Sequence, residues 1–364
     1  MRLILTSLAV VGLFGVCASE LCGQGDGQRG GDRFREREAT PIELKNFTYQ
    51  RVEFDTKDLT AGKGRYGIYL PAGYADPANA NKKYPWVIWL HGMREDDRDF
   101  HQEGARILDE ASASGKFTPF VFVAASALQR TLYMNGEPEG NIADLITKDL
   151  VADVQAKFHV ATDRSQRAIM GISLGGMAAL RFAMTNLDLF GTVAVHSAAV
   201  FPEDPAELPP QHLVTYQRFG ERSGWYALLG NPIDKTKFAA FNPTALAHAL
   251  KDVKGMRIYF DAGTDDRYGF GPANQHLADV LKAAEVPFTF KLIQGGQHSW
   301  SGGTVQKALV DSLTFVNESF TMQVGATTAP AATPAPAKSD DAKKDDGKKG
   351  DSKKDEPKKE GGGS

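Results

Sequence analysis

The chain alternates short apolar runs with segments of helical periodicity. Residues 47–54 and 65–70 alternate apolar and polar positions, which predicts two strands paired in antiparallel fashion. Gly62, Gly64 and Gly67 spell a G-x-G-x-x-G pattern around the connection between them. Because this pattern opens into a strand rather than a helix, it predicts a hairpin turn and not a nucleotide-binding loop.

Continuous apolar runs at residues 85–90 and 119–124 predict strands that are buried on both faces of a sheet. Further strands are predicted at residues 168–171, 191–195, 256–260 and 288–293. The spacing of apolar residues predicts helices at residues 142–158, 272–284 and 303–320. Strands that alternate with helices predict an α/β fold with a mostly parallel central sheet and helices on both faces.

One predicted strand ends in a tight turn that carries a serine. The turn reads Gly171-Ile172-Ser173-Leu174-Gly175, with an apolar run before it and a helical pattern after it. This context is that of a nucleophile elbow, in which glycines let strand and helix approach closely and the turn exposes the serine hydroxyl. The alternative is a Gly/Ser turn before an ordinary helix, because the chain has 37 glycines. The context favours a catalytic Ser173.

A serine hydroxyl becomes a good nucleophile when a base takes its proton, and the base must itself be oriented. Asp265 and Asp266 follow the predicted strand 256–260, and His298 follows the predicted strand 288–293. The order Ser, Asp, His is the one that α/β-hydrolases use. Alternatively, the two aspartates cap a turn and the histidine is an ordinary surface residue.

Acyl transfer also needs N–H donors for the negatively charged oxygen of the tetrahedral intermediate. The first expected donor is the backbone N–H of Leu174, the residue after the candidate nucleophile. The second is expected in the loop after the first buried strand, where the tight turn at Gly92 precedes the backbone N–H of Met93. His91, in the same loop, is predicted to be a structural residue that fixes the loop.

Four stretches together resemble the esterase D group of α/β-hydrolases: residues 90–97, 163–176, 263–266 and 295–298. This group includes feruloyl and acetylxylan esterases of carbohydrate esterase family one, S-formylglutathione hydrolase and the secreted mycolyltransferases. The resemblance spans about residues 65–320 and implies an α/β-hydrolase fold.

By this resemblance, Ser173, Asp266 and His298 match the catalytic triad, and Met93 and Leu174 match the oxyanion donors. The implied reaction is hydrolysis of a carboxylic ester, of an acetyl or feruloyl group linked to a carbohydrate, through an acyl-enzyme. The loop sequence Gly-Met-Arg-x-Asp-Asp is closest to the mycolyltransferase version, so transfer of the acyl group to a sugar hydroxyl is an alternative. A non-catalytic carbohydrate-binding relative is another. No cofactor is implied.

Residues 199–240 are rich in proline and aromatic residues and lie between two predicted core strands. We expect either an insertion over the substrate pocket or a satellite core beneath a long loop. The aromatic residues available to line a pocket are Phe201, Tyr216, Phe219, Trp225 and Tyr226. Across the chain, the candidate substrate-pocket residues are Arg94, Trp225 and Trp300.

Charged residues and histidines add little to this picture. Glu95, Asp96, Asp97 and Asp99 predict a solvated acidic loop, with a cation site as the less favoured alternative. The eight histidines include no His-Glu-x-x-His or comparable spacing, so no metal site is predicted. A net charge of −3 favours no nucleic-acid partner. The expected partner is a small or polysaccharide-linked ester, and the sequence does not indicate an oligomeric state.

Both ends of the chain differ in composition from its body. Residues 1–19 combine a positive start, an apolar stretch and small residues, which predicts a cleaved signal peptide and export without stable membrane insertion. Residues 20–39 are predicted to be a flexible linker, 40–324 the esterase domain, and 325–364 a disordered tail rich in Ala, Pro, Lys and Asp. The only two cysteines lie within the first 22 residues, so the body has no disulfide framework.

Overall fold

Eight strands form one mixed sheet in the computed structural model, which describes residues 42–305 and 307–327. The strands are β1 Phe47–Asp55, β2 Lys63–Pro71, β3 Trp86–Leu90, β4 Val121–Ala125, β5 Arg167–Ile172, β6 Thr192–His196, β7 Arg257–Gly263 and β8 Thr289–Ile293. Their order across the sheet is β1-β2-β4-β3-β5-β6-β7-β8. Strand β2 is antiparallel to β1 and β4, and all other neighbours are parallel.

The helices lie between and after these strands. They are α1 Asp97–Glu103, α2 Ala105–Ala113, α3 Ile142–Asp144, α4 Leu150–Lys157, α5 Ser173–Thr185, α6 Pro210–Gly220, α7 Trp225–Leu229, α8 Lys235–Phe241, α9 Pro243–Ala247, α10 Phe270–Ala283 and α11 Ala308–Thr327. One π-helical segment, Leu145–Asp149, joins α3 to α4. The predicted α/β architecture, with its mostly parallel sheet, is therefore confirmed.

Strand β3 shows why the sheet is covered on both faces. Successive side chains of a strand point to opposite faces. Trp86 and Ile88 pack into the same apolar cluster as residues of α4, α5 and α10. Val87 and Trp89 pack into a second cluster, with residues of α1, α2 and α11. Every residue of β3 is buried, which explains the continuous apolar run in the sequence.

Most predicted elements match the observed ones, and the differences lie in the helices. The antiparallel pair is confirmed, with Phe47 opposite Pro71 in the register of β1 and β2. The predicted helix at 303–320 is instead a short 3-10 helix, Gly303–Val305, followed by α11. Helices α1 and α2 and the four short helices α6 to α9 were not predicted, because short segments carry few periodic positions.

The predictions for the two ends of the chain fall largely outside the described residues. This applies to the signal peptide, 1–19, and to the linker, 20–39. Helix α11 continues through Thr327, three residues past the expected end of the domain at 324. The remainder of the predicted tail, from residue 328, also lies outside the described residues.

The prediction of a solvated acidic loop is wrong. Asp97 is 1% exposed, and the guanidinium of Arg51 donates to its two oxygens at 2.7 and 3.0 Å. Asp96 caps α1 by accepting from the backbone N–H of Arg98 at 2.8 Å, and Asp99 accepts from the backbone N–H of Asp96 at 2.6 Å. These carboxylates tolerate burial because an arginine and the free N–H groups of a helix start replace water. They anchor the loop that follows β3.

Candidate active site

Ser173 occupies the sharp turn between β5 and α5. Its φ is +57°, a left-handed conformation that is costly for a residue with a side chain. A Cβ on Gly175 would lie 2.2 Å from the carbonyl oxygen of Leu90 and 2.4 Å from that of His91, so only glycine fits there. The turn therefore brings Ser173 against the loop that follows β3, as expected of a nucleophile elbow.

Asp266, and not Asp265, contacts His298. The Asp266 Oδ2 lies 2.8 Å from the imidazole Nδ1, and its Oδ1 accepts from the backbone N–H of Tyr268 at 2.9 Å. Asp265 is exposed, and its Oδ1 accepts a hydrogen bond from the Thr264 hydroxyl at 3.0 Å. When Nδ1–H donates to Asp266, Nε2 carries the lone pair that a general base requires.

Two loops hold this pair in place by direct backbone contact. The N–H of Thr264 donates to the carbonyl of Ile293 at 3.0 Å, and the N–H of Asp265 donates to the carbonyl of Gly296 at 2.8 Å. A Cβ on Gly263 would lie 2.0 Å from the Gly296 oxygen, so the loops approach as closely as they do because both residues are glycines. The loop that carries the acid and the loop that carries the histidine are thereby held together.

Ser173 and His298 line one cavity of about 660 Å³, together with Met93 and Leu174. In the part of the chain that the structure describes, the Ser173 hydroxyl forms no hydrogen bond with the imidazole. Such contacts are often long in ligand-free enzymes and tighten when substrate binds. The cavity thus brings together all the residues predicted for the nucleophile, the base and the oxyanion donors, and the acid lies directly behind the base.

The turn after β3 leaves one backbone donor available. The N–H of Gly92 donates to the Glu95 Oε2 at 2.8 Å, and the N–H of Arg94 donates to the carbonyl of Gln129 at 2.6 Å. The N–H of Glu95 donates to the carbonyl of Gly92 at 3.3 Å. Among the described residues, the N–H of Met93 has no acceptor, so it is free to bind a developing negative charge.

The backbone N–H of Leu174 is available for a different reason. Leu174 is the second residue of α5, and the first N–H groups of a helix have no acceptor within it. The positive end of the helix dipole adds to their attraction for an anion. The carbonyl of Ser173 accepts from the N–H of Ala199 at 2.9 Å, which ties the elbow to the segment after β6.

His91 has the structural role that the sequence predicted. Its Nδ1 lies 2.8 Å from the Gly92 carbonyl oxygen, and its Nε2 accepts from the N–H of Ala127 at 3.0 Å. The Tyr133 hydroxyl donates to the His91 carbonyl at 2.7 Å. Burial lowers the pKa of His91, which keeps the ring neutral and able to serve as donor and acceptor at once. The ring therefore connects two loops and takes no part at the cavity.

The insertion fulfils both alternatives that the sequence left open. Its helices α6 to α8 bury a separate apolar cluster, and the same residues form a wall of the cavity. Of the aromatic residues proposed to line a pocket, Phe201, Tyr216, Phe219 and Trp225 do so. Tyr226 packs on Tyr216 instead, with ring centroids 5.4 Å apart.

The three candidate pocket residues all line the cavity, in different ways. Arg94 is exposed and has a φ of +73°. Trp225 is 4% exposed, and its indole N–H donates to the carbonyl of Arg130 at 3.2 Å. Trp300 is 3% exposed and stacks on Phe100 at 5.6 Å, so it is mainly a core residue that shows one edge to the cavity.

Sequence reasoning missed several groups that surround the base. The ring of Tyr268 meets His298 edge-on, with centroids 4.7 Å apart. His212 of α6 stacks on Phe270 at 5.2 Å, and burial lowers its pKa. Only the position of Tyr268, two residues after Asp266, offered a signal in the sequence. His212 lies in the insertion, and no sequence motif predicts that the insertion folds over the cavity.

The described residues contain neither a candidate metal site nor a candidate membrane-spanning helix. No group of three His, Cys, Asp or Glu side chains there is arranged to hold a metal ion. No helix in residues 42–305 or 307–327 has the length and apolarity needed to cross a membrane.

A parallel sheet with an antiparallel edge, a serine elbow after β5 and an acid–histidine pair after β7 and β8 define the α/β-hydrolase class. The Esterase family model matches residues 60–315. The chain belongs to this family, which confirms the predicted fold and the predicted class, a serine carboxylic-ester hydrolase.

Two similar proteins are named as esterases. The acetyl esterase of Caldicellulosiruptor saccharolyticus is 25% identical over 215 residues, 58% of this chain and 76% of that protein. An endo-1,4-beta-xylanase/feruloyl esterase of Xylanibacter ruminicola is 24% identical over 180 residues, 48% of this chain. The chain spans only about a quarter of that relative's length, because the match covers 24% of it.

Solved structures show the same fold. A ferulic acid esterase superposes with a TM-score of 0.58 and 25% identity, covering 76% of this chain and 100% of its own. Fluorophosphonate-binding serine hydrolase F of Staphylococcus aureus superposes with a TM-score of 0.60 and 18% identity, covering 75% and 99%. At 18% identity, the similarity to this serine hydrolase shows only a common fold.

A buried carboxyl group, Glu137, holds the backbone of a loop beside the cavity. Its Oε1 accepts from the backbone N–H groups of Leu132, which lines the cavity, and Met134, at 3.0 and 2.7 Å. Its Oε2 is buried without a partner among the described residues. Burial raises the pKa of Glu137 to about 8, and the hydrogen bonds from the two backbone N–H groups and the charge of Arg181 only partly offset this effect. The group is therefore mostly protonated at neutral pH.

The titration of Glu137 should make the fold less stable as pH rises. Its pKa is about 8 in the folded state and about 4.5 when unfolded, so the unfolded state loses its proton first and the free energy of unfolding falls between these values. We expect Glu137→Gln to reduce the slope of the free energy of unfolding against pH over this window, measured by urea unfolding. Exposed Glu139→Gln is the control. Equal slopes in wild type and Glu137→Gln would contradict the assignment.

Proposed function

We propose that this chain hydrolyses a carboxylic ester in which an acetyl or feruloyl group is linked to a carbohydrate. The observation that carries the proposal is the convergence of Ser173 with the Asp266–His298 pair on a single cavity. The names of the acetyl esterase and the xylanase/feruloyl esterase to which the chain is similar support this substrate class.

In this mechanism His298 Nε2 takes the proton of the Ser173 hydroxyl as the oxygen attacks the ester carbonyl. The carbonyl oxygen becomes an oxyanion and accepts from the N–H groups of Met93 and Leu174. The protonated imidazole then gives its proton to the leaving alcohol, and an acyl-enzyme remains. Water, activated by the same base, attacks the acyl-enzyme and releases the acid.

Asp266 orients the base and stabilises its charged form. The hydrogen bond from Nδ1 to Oδ2 fixes the ring so that Nε2 faces the cavity, and the carboxylate attracts the imidazolium that forms during the reaction. The backbone N–H of Tyr268 holds the other oxygen, Oδ1, so the carboxylate cannot rotate freely. One buried carboxylate is enough to orient the imidazole. A second buried carboxylate beside it would be repelled by the first.

The shape of the cavity favours an aromatic acyl group over a small one. Its volume of about 660 Å³ lies in the range of pockets that hold drug-sized ligands, well above the needs of an acetyl group. Trp225, Leu229, Phe238 and Phe241 are buried in its wall, so an aromatic ring placed there removes apolar surface from water and packs against other apolar groups. The sugar would then lie at the exposed mouth.

Export is part of the proposal and rests on the sequence alone. Residues 1–19 have the composition of a secretory signal peptide. An exported enzyme would meet polysaccharide substrates outside the cell, which suits the proposed ester.

Transfer of the acyl group to a sugar hydroxyl is the second candidate function. The Gly92-Met93-Arg94 loop supports it through its resemblance to the loop of mycolyltransferases. Chemically, the acyl-enzyme would be the same, and a sugar hydroxyl would replace water as the acceptor. Analysis of products in the presence of added sugars separates the two, because transfer yields an acylated sugar and hydrolysis yields free acid.

The substrate class and the nucleophile can be tested together. We expect turnover of p-nitrophenyl acetate, and greater kcat/KM on feruloylated than on acetylated xylan. Ser173→Ala should lower kcat by about 10⁴-fold or more and abolish labelling by a fluorophosphonate probe, while its Tm stays at or above the wild-type value because alanine removes only the hydroxyl. Labelling of the variant would refute the nucleophile, and activity on none of these esters would refute the substrate class.

The two adjacent aspartates provide a matched pair. Asp266→Asn should lower kcat by about 10⁴-fold, because an amide no longer stabilises the correct tautomer or the imidazolium. Asp265→Asn, the same change one residue away on an exposed side chain, should cost less than about threefold. Steady-state kinetics on p-nitrophenyl acetate measures both. Similar losses in the two variants would argue against Asp266 as the orienting acid.

A further inference from the structure

The turn that carries Met93 is closed by a side chain of its own. The Glu95 carboxylate reaches back across the turn, and its Oε2 accepts from the backbone N–H of Gly92 at 2.8 Å. The backbone N–H of Glu95 meets the Gly92 carbonyl at 3.3 Å. Glu95 therefore contacts both polar groups of Gly92, and the His91 Nδ1 lies 2.8 Å from the same Gly92 carbonyl oxygen. Glu95 is the residue that binds the Gly92 N–H, and Met93 and Arg94 lie between Gly92 and Glu95.

This closure determines which N–H of the turn faces the cavity. Gly92 is the residue of the turn with the widest range of backbone conformations, so its orientation depends on what its N–H and carbonyl bind. The next peptide is constrained as well, because Arg94 has a φ of +73° and its N–H is bound to the carbonyl of Gln129. With the Gly92 and Arg94 donors occupied, the N–H of Met93 is the remaining one.

We propose that Glu95 is a positioning residue that holds the Met93 N–H in the orientation needed to stabilise the oxyanion of the tetrahedral intermediate. This inference rests on the proposed function, since it concerns the same reaction. Glu95 itself lines the cavity that contains Ser173, so its carboxyl group is close enough to affect the reaction by its charge as well.

The charge state of Glu95 depends on its burial and on the charged groups around it. Three carboxylates at the start of α1 and within it carry the same charge as Glu95: those of Asp96, Asp99 and Glu103. The Tyr133 hydroxyl faces Glu95 from the neighbouring loop. Burial comes first among the causes that raise the pKa of Glu95 to about 7. The protonated carboxyl keeps an oxygen that accepts from Gly92, so the turn stays closed. Above pH 7 a negative charge would oppose the oxyanion.

The positioning role predicts an effect on kcat with little change in KM, because the oxyanion exists only in the transition state and the intermediate. Glu95→Ala removes the acceptor of the Gly92 N–H and should lower kcat about 10- to 100-fold, less than the 10²- to 10³-fold typical for complete loss of a donor. Glu95→Gln keeps a side-chain oxygen in the same place and should restore kcat to within about threefold of wild type at pH 6.

The matched control is Glu110→Ala, the same substitution at an exposed position of α2, which should leave kcat and KM unchanged. Circular dichroism and Tm establish whether each variant is folded. The pH profile gives a readout that folding alone would not move. Above pH 7, kcat of the wild type should fall relative to that of Glu95→Gln, since only the wild type acquires the charge.

The outcomes separate this inference from the proposed function. Loss of fluorophosphonate labelling in Ser173→Ala, with wild-type kcat in Glu95→Ala, would overturn the inference alone. A Glu95→Gln variant as impaired as Glu95→Ala at pH 6 would overturn it too, because the oxygen acceptor would then not be the group that matters. If Glu95→Ala does not fold, a Glu95→Gln variant whose kcat at pH 6 is far below that of the wild type is the overturning result. Full activity of Ser173→Ala would instead refute the proposed function.

Discussion

The active site depends on a close backbone contact between the serine turn and the end of β3. Gly175 stands where any Cβ would lie 2.2 Å from the carbonyl oxygen of Leu90. This contact sets the distance between α5, whose start carries Ser173 and the Leu174 N–H, and the turn that carries the Met93 N–H. The two proposed donors, the N–H groups of Met93 and Leu174, lie on these two elements. A Cβ at position 175 would force the elements apart.

A second set of constraints fixes the loops at the carboxyl ends of the strands, and it combines buried polar side chains with close backbone contacts. His91 holds the loop after β3 to the loop after β4, and Asp96 and Asp97 anchor the start of α1. Glycine-to-glycine contact holds the acid loop after β7 to the histidine loop after β8. Buried groups of this kind cost stability unless every partner is present, so they specify one arrangement of the loops.

The strands and the serine turn could be predicted from the sequence because each leaves a local pattern, whereas the choice of Asp266 over Asp265 as the partner of His298 depended on the family resemblance. Apolar runs mark β3 to β7, and the Gly-x-Ser-x-Gly turn follows one of them. The acidic stretch 95–99 was misjudged because its burial depends on Arg51, 46 residues from Asp97 in the sequence. Helices α6 to α9 are five to eleven residues long, so their stability comes from packing around the cavity rather than from periodicity. His212 escaped notice for the same reason, since its contacts are tertiary. The role of Glu95 was missed because the acidic stretch was interpreted as solvated, although its carboxylate contacts the Gly92 N–H only three residues away.

The central chemical proposal is that Ser173, in its left-handed backbone conformation, forms a covalent acyl-enzyme. Rapid acid quench during turnover of a p-nitrophenyl ester, followed by mass spectrometry of the intact chain and its peptides, tests this claim directly. We predict a mass increase of one acyl group, located on the peptide that contains Ser173, together with a burst of one nitrophenolate per chain. An acyl group found on any other residue would contradict the account.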